Sequence, residues 1–104
     1  MREVEIDQFA EAYADGATVI DVREPMEYVS GHVPGVPLIP MGQLPSRLDE
    51  VAKDGPVYVV CASGHRSRSV AAFLEQHGYD AVNVEGGTHA WVRSGRPVTT
   101  GREA

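Results

Sequence analysis

Apolar positions fall into two rhythms along this chain. One is continuous and short: TVIDV (Thr18 to Val22) and PVYVVCA (Pro56 to Ala62) are β-branched runs of strand length. The second run is apolar at alternate and intervening positions alike, the pattern of a strand buried on both faces in a parallel sheet. The other rhythm is helical. Val70, Phe73, Leu74 and His77 recur at i, i+3, i+4 and i+7, which predicts a helix from about Ser67 to His77 with Gly78 as its stop. Phe9, Ala10 and Tyr13 mark the apolar face of an earlier helix, capped by Asp7, running to about Asp15 and ended by Gly16.

Weaker segments fill the intervals. Val4 to Ile6 reads as a short extended piece. Pro25 suits the first turn of a short helix, Met26 to Ser30. GHVPGVP is turn chemistry, with two glycines and two prolines in seven residues. Val36 to Ile39 is a further strand candidate, demoted towards an edge by Pro37. Gln43 to Val51 reads as a helix followed by a turn at Asp54 and Gly55. AVNVEGG (Ala81 to Gly87) is a strand ending in a glycine turn, and Thr88 to Ser94 is a last short helix before Gly95. Strands alternate with helices, so the expected class is α/β with a mainly parallel sheet.

The 104 residues suit one domain, expected over residues 1–98, with the polar residues 99–104 as a frayed tail. The charge of −6 argues against a general nucleic-acid binder, though not against a local cationic pocket. No apolar run approaches the roughly 20 residues that span a bilayer, and MREVEIDQF is acidic where a signal peptide is basic. Neither a membrane nor a nucleic acid is therefore an expected partner. Cys61 is the only cysteine. An intrachain disulfide is impossible, which points to a reducing, cytoplasmic location. The four histidines and one cysteine have no metal-ligand spacing, so no metal is expected.

Chemistry concentrates in VVCASGHRS, Val59 to Ser67. Its cysteine lies between a buried strand and a helix start, outside the carboxyl end of a strand, where open α/β sheets bind ligands. Unpaired amides and the positive end of the helix favour an anion there and lower a thiol's pKa. Ser63 and Gly64 are small enough to let the loop curl with its amides inward. Arg66 adds a permanent charge. The expected product is a nucleophilic thiolate at the floor of an anion cradle made from Ala62, Ser63, Gly64, His65 and Ser67. A cysteine ending a strand is more commonly an inert small hydrophobe; the convergence of strand, loop, arginine and helix argues otherwise here. Cysteine-dependent phosphatases space cysteine and arginine as C-x5-R. Here four residues separate Cys61 from Arg66 and six separate it from Arg68. The tighter loop suits a persulfide, Cys–S–S⁻, and disfavours a phosphate or arsenate enzyme.

Three segments resemble the rhodanese family of sulfurtransferases, in that family's order. They are DVREPMEYVSGHVPGV (Asp21 to Val36), CASGHRS (Cys61 to Ser67) and EGGTHAWVRSGRPV (Glu85 to Val98). The resemblance implies a small five-stranded parallel sheet flanked by helices on both faces. It also implies covalent, ping-pong catalysis without a cofactor. Cys61 would take a sulfane sulfur from a donor such as thiosulfate and pass it from the persulfide to cyanide or a thiol. Ala62 departs from members with a basic residue directly after the cysteine, which questions thiosulfate as the physiological donor. The alternative is a sulfur-carrier or regulatory module, loaded and unloaded by partner proteins, that turns over small donors poorly.

Other residues carry two readings each. Asp21 and Arg23 end a strand in the same relative position as the active loop and either shape the pocket rim or form a structural ion pair, the simpler reading. Arg68 extends the rim or is a solvated helix residue. His65 tunes Cys61 or faces solvent. His32 is better read as a turn brace than as a base, His77 as a structural residue at a helix end, and Trp91 as core rather than pocket wall.

Overall fold

The computed structural model describes all 104 residues. Four parallel strands, β1 (Arg2–Val4), β2 (Thr18–Asp21), β3 (Val57–Val60) and β4 (Ala81–Val84), lie in the order β1-β4-β3-β2. Helices α1 (Ile6–Ala14) and α4 (Gly87–Arg93) cover one face. The other is covered by α3 (His65–Gln76) and a 3-10 segment, Met41–Glu50. A short helix α2 (Pro25–Ser30) follows β2.

The period of two along β3 divides the core. Val57, Val59 and Cys61 face α3 and pack with Ile20, Val22, Val70, Ala71 and Leu74. Val60 faces the other way, with Val19, Val84, Phe9 and Trp91. Trp91 is core, as its reading predicts, and its indole N–H donates to the Pro97 carbonyl at 2.7 Å. The same alternation in β4 turns Asn83 inward on the α3 side, next to an otherwise apolar core.

The sheet has four strands and not five. Val36 to Ile39 contributes only an isolated bridge between Leu38 and Asp21, made by the Asp21 amide to the Pro37 carbonyl and the Ile39 amide to the Asp21 carbonyl. Pro37 and Pro40 have no N–H to extend the ladder. Proline also reshapes the segment predicted as a helix from Gln43 to Val51. Pro45 sits inside it and Arg47 leaves helical geometry, so it winds as a 3-10 helix. Element starts shift by one to two residues. Glu5, not Asp7, caps α1, through a capping box with Gln8, and β1 consequently ends at Val4. α3 begins at His65, two residues before Ser67, because Gly64 at φ 104° makes the entry turn.

The polar end is tied back. The backbones of Thr99 and His32 exchange two hydrogen bonds of 2.9 Å, and the Gly101 amide reaches the Val29 carbonyl. His32 is fully buried, stacked on Tyr28 at 3.6 Å, with its ring nitrogens against the carbonyls of Tyr28 and Glu103. The brace reading of His32 thus holds, and it anchors residues expected to fray.

Beside β2, Asp21 and Arg23 form a buried pair. The Asp21 carboxylate receives the Arg23 amide, Nε and Nη2, the last at 2.9 Å, and Nη2 also donates to the Gly31 carbonyl. Their side chains are 1% and 6% exposed. Removing either partner strands a charge away from water. Asp21→Ala is expected to lower unfolding free energy by about 3–5 kcal/mol in urea melts; a loss below about 1 kcal/mol would show the site rehydrates freely.

Candidate active site

Cys61 follows β3 directly, and the next three residues, Ala62 to Gly64, carry the chain to the start of α3. The local fold separates the two polarities of this backbone. The Cys61 carbonyl accepts from the Thr88 amide at 2.9 Å and the Thr88 hydroxyl at 3.1 Å, and the Ala62 carbonyl from the His89 amide at 3.0 Å. With its carbonyls held outward by the first turn of α4, the loop points amides inward. Gly87 makes this approach possible: a Cβ there would stand 2.3 Å from the Cys61 oxygen.

The Gly64 amide donates to Cys61 Sγ at 3.0 Å, and the Ser67 hydroxyl lies 3.2 Å from it. Burial pushes the thiol up. Donation from the Ser67 hydroxyl and from the amides of Ser67, Gly64 and Ser63 outweighs that, leaving the thiol below its ordinary 9.0. The residue is only 1% exposed. It is therefore both a member of the core and a polarised sulfur at the mouth of a helix.

Each remaining side chain of the loop has a definite place. His65 is exposed, its Nδ1 3.1 Å from the Ser63 hydroxyl. Ser67 is buried, with Asn83 Oδ1 as a second acceptor within reach of its hydroxyl. Arg66 is not free over the sulfur. Its guanidinium grips Glu27 of α2 in a two-point pair of 2.7 and 2.8 Å. Glu27 is preset for this, because one of its oxygens also accepts the Glu24 amide at 3.0 Å in a capping box. Arg68 pairs with Glu3 at 2.9 Å, and His77 is exposed at the end of α3, against the Phe73 carbonyl. Asp21 and Arg23 are locked to each other below the surface.

A family model for the rhodanese-like domain matches residues 5–94. The chain belongs to the rhodanese-like domain family. A sulfurtransferase of Allochromatium vinosum is 37% identical over 101 residues, 94% of each chain. The Bacillus subtilis protein YrkF, named as a sulfur carrier, is 36% identical over 78 residues, 74% of this chain and 42% of its own. Among solved structures, the rhodanese-related protein of Thermoplasma volcanium superposes with a TM-score of 0.90 at 34% identity, covering 97% of this chain and all of its own. In this rhodanese-like domain the three resembling segments thus converge in space: the first supplies Glu27, the second the sulfur loop, the third its outward clamp.

Three residues of the site escape a motif reading. Asn83 is signalled only by a polar side chain in a four-residue buried strand, AVNV. Glu27 is signalled by its place three residues after the cap Glu24, and Glu3 only by its register opposite Asn83.

The Arg66 hydrogen bonds hold Glu27 at about 2, well below the ordinary 4.5. A carboxyl depressed on folding stabilises the fold above its unfolded pKa and loses that contribution as pH falls through the folded value. Glu27→Gln should therefore destabilise near pH 6, with the gap to wild type closing between about pH 4.5 and 2 in thermal melts. A gap constant down to pH 2 would place the effect elsewhere.

Proposed function

We propose that the protein is a sulfurtransferase working through a persulfide on Cys61. One observation carries this reading: a sulfur at a strand end that receives an inward amide and a buried hydroxyl at hydrogen-bond distance. A thiolate so stabilised attacks the outer, sulfane sulfur of a donor such as thiosulfate. The sulfur–sulfur bond of the donor breaks, and sulfite leaves with the bonding pair. Cys61 then carries –S–S⁻, whose charge the same amides solvate. An acceptor, cyanide or a thiolate, attacks the terminal sulfur and Cys61 departs as thiolate, ready for the next cycle. No redox partner, metal or cofactor enters this sequence. Removing a comparable donor of an oxyanion hole costs about 3–4 kcal/mol of barrier.

The sulfur-carrier alternative draws on a specific feature. Arg66 is neutralised by Glu27, and Ala62 adds no charge next to the sulfur. A small dianion finds little net attraction at such a rim, whereas a partner protein brings its own contacts. Both readings share the Cys61 persulfide and differ in what loads it. We assign the domain to the cytoplasm on its single, unpaired thiol.

Intact mass spectrometry after thiosulfate treatment should show one added sulfur atom on the wild type, removed by cyanide. Cys61→Ser should show none and lose transfer while keeping its fold. Transfer by that variant at the wild-type rate would eliminate Cys61 as the nucleophile. Loading only by a persulfide-bearing protein would favour the carrier.

Freeing Arg66 should improve small-donor use. Glu27→Gln is expected to lower KM for thiosulfate severalfold, with a smaller change in kcat, in steady-state cyanide assays. An unchanged or higher KM would show that the ion pair does not restrain the donor.

A further inference from the structure

Behind the Ser67 hydroxyl lie two further polar residues, Asn83 and Glu3, that the transfer chemistry above does not use. The Ser67 hydroxyl has two acceptors within reach, Cys61 Sγ at 3.2 Å and Asn83 Oδ1. The orientation of the Asn83 amide is settled by its other partners. Its nitrogen donates to Glu3 at 2.8 Å and to the Gly64 carbonyl at 3.2 Å, both acceptors, so its oxygen must face Ser67. Ser67 and Asn83 are each 0% exposed, so no bulk water substitutes for a missing partner. A hydroxyl owns one hydrogen. It cannot serve sulfur and amide together.

We infer that Asn83 is a positioning residue that competes with the Cys61 sulfur for the single Ser67 hydrogen, and so governs how readily the sulfur is released as thiolate. In the thiol state, S–H donates to Ser67 Oγ and the Ser67 hydrogen rests on Asn83 Oδ1. On ionisation the thiol proton leaves to solvent, and the hydroxyl hydrogen rotates from Asn83 to Sγ. Asn83 Oδ1 is then left without its donor, and that loss opposes ionisation. The amide cannot relay a proton, so Glu3 is not the base; it pins Asn83 from β1, and Arg68 in turn pins Glu3. Glu3 is accordingly held low, first by the Asn83 hydrogen bond and then by Arg68. The same amide also holds the Gly64 carbonyl, in the peptide that follows the Gly64 nitrogen donating to the sulfur.

The inference rests on Cys61 as the reacting thiol, and iodoacetamide reads the thiolate without any sulfur transfer. Failure here and failure of the sulfurtransferase reading are thus distinguishable. The experiment measures alkylation rate against pH for wild type and Asn83→Leu, each also with Ser67→Ala. Leucine removes the competing acceptor, and alkylation at neutral pH should quicken about threefold to tenfold as the midpoint falls. A merely structural role would loosen the donors around the sulfur and raise the midpoint instead. With Ser67→Ala in place the quickening should vanish. A midpoint that rises or stays, or a quickening that persists without the hydroxyl, would overturn the inference. If the substitutions unfold the chain, the wild type still decides: the Asn83 side-chain amide resonances should titrate with the midpoint of the Cys61 Cβ. An Asn83 amide indifferent to that titration would also overturn it.

Discussion

A sulfur anion sealed from water survives only where donors replace the water it has lost. Nearly everything near Cys61 follows from that constraint. Its residue is 1% exposed, and burial by itself drives the thiol towards neutrality. Three amides and one hydroxyl reverse the sign. They do so because the adjacent carbonyls are claimed by the first turn of α4. The two strand-to-helix turns act as a pair: one presents donors, and the other removes competing acceptors. Gly87 allows their contact at a distance no side chain tolerates. The fold's contribution to the site is thus an arrangement of peptide dipoles more than a set of reactive side chains.

The arginines reinforce the point, because none of those near the loop is unpaired. Arg66 is held by Glu27, Arg68 by Glu3 and Arg23 by Asp21. Each brings structural gain, and each removes a free positive charge from the sulfur's surroundings. The Asp21–Arg23 pair fastens the end of β2 to the turn at Gly31. The Glu27–Arg66 pair fastens α2 to the start of α3, across the rim. With the three arginines near the loop engaged, the candidate site of a chain of net charge −6 relies on neutral donors.

Much of this was legible in the residues. The parallel α/β class followed from two apolar runs and one strongly periodic helix, and the loop from a cysteine placed between them. Failures came where local chemistry overrode pattern. Val36 to Ile39 has strand-like side chains, but the prolines around it cannot donate. Gln43 to Val51 has helical periodicity with Pro45 in its first turn. Arg66 is spaced to reach the sulfur, yet a carboxylate preset on another helix captures it. That capture depends on tertiary placement, which a linear motif does not contain. Asn83 is the converse case, because a single polar side chain in a buried strand already demands partners. Only the register of β1 and the turn of α3 say which ones.

The division between neutral and charged groups bears on what the loop can hold. A persulfide carries one negative charge, diffuse on a polarisable sulfur, and a few aligned dipoles suffice to solvate it. A phosphoryl group brings two charges on compact oxygens and needs a formal cation in its first layer, usually an arginine with a two-point grip. In this loop the arginine best spaced for that grip has both contacts committed to Glu27 at 2.7 and 2.8 Å. Recovering it would break a bidentate ion pair and leave a carboxylate facing the incoming anion. The persulfide itself needs no such rearrangement, because the amides suffice for its single diffuse charge. The ion pair thus sets the same obstacle before any compact dianion, thiosulfate included, and sets it at the rim rather than at the sulfur.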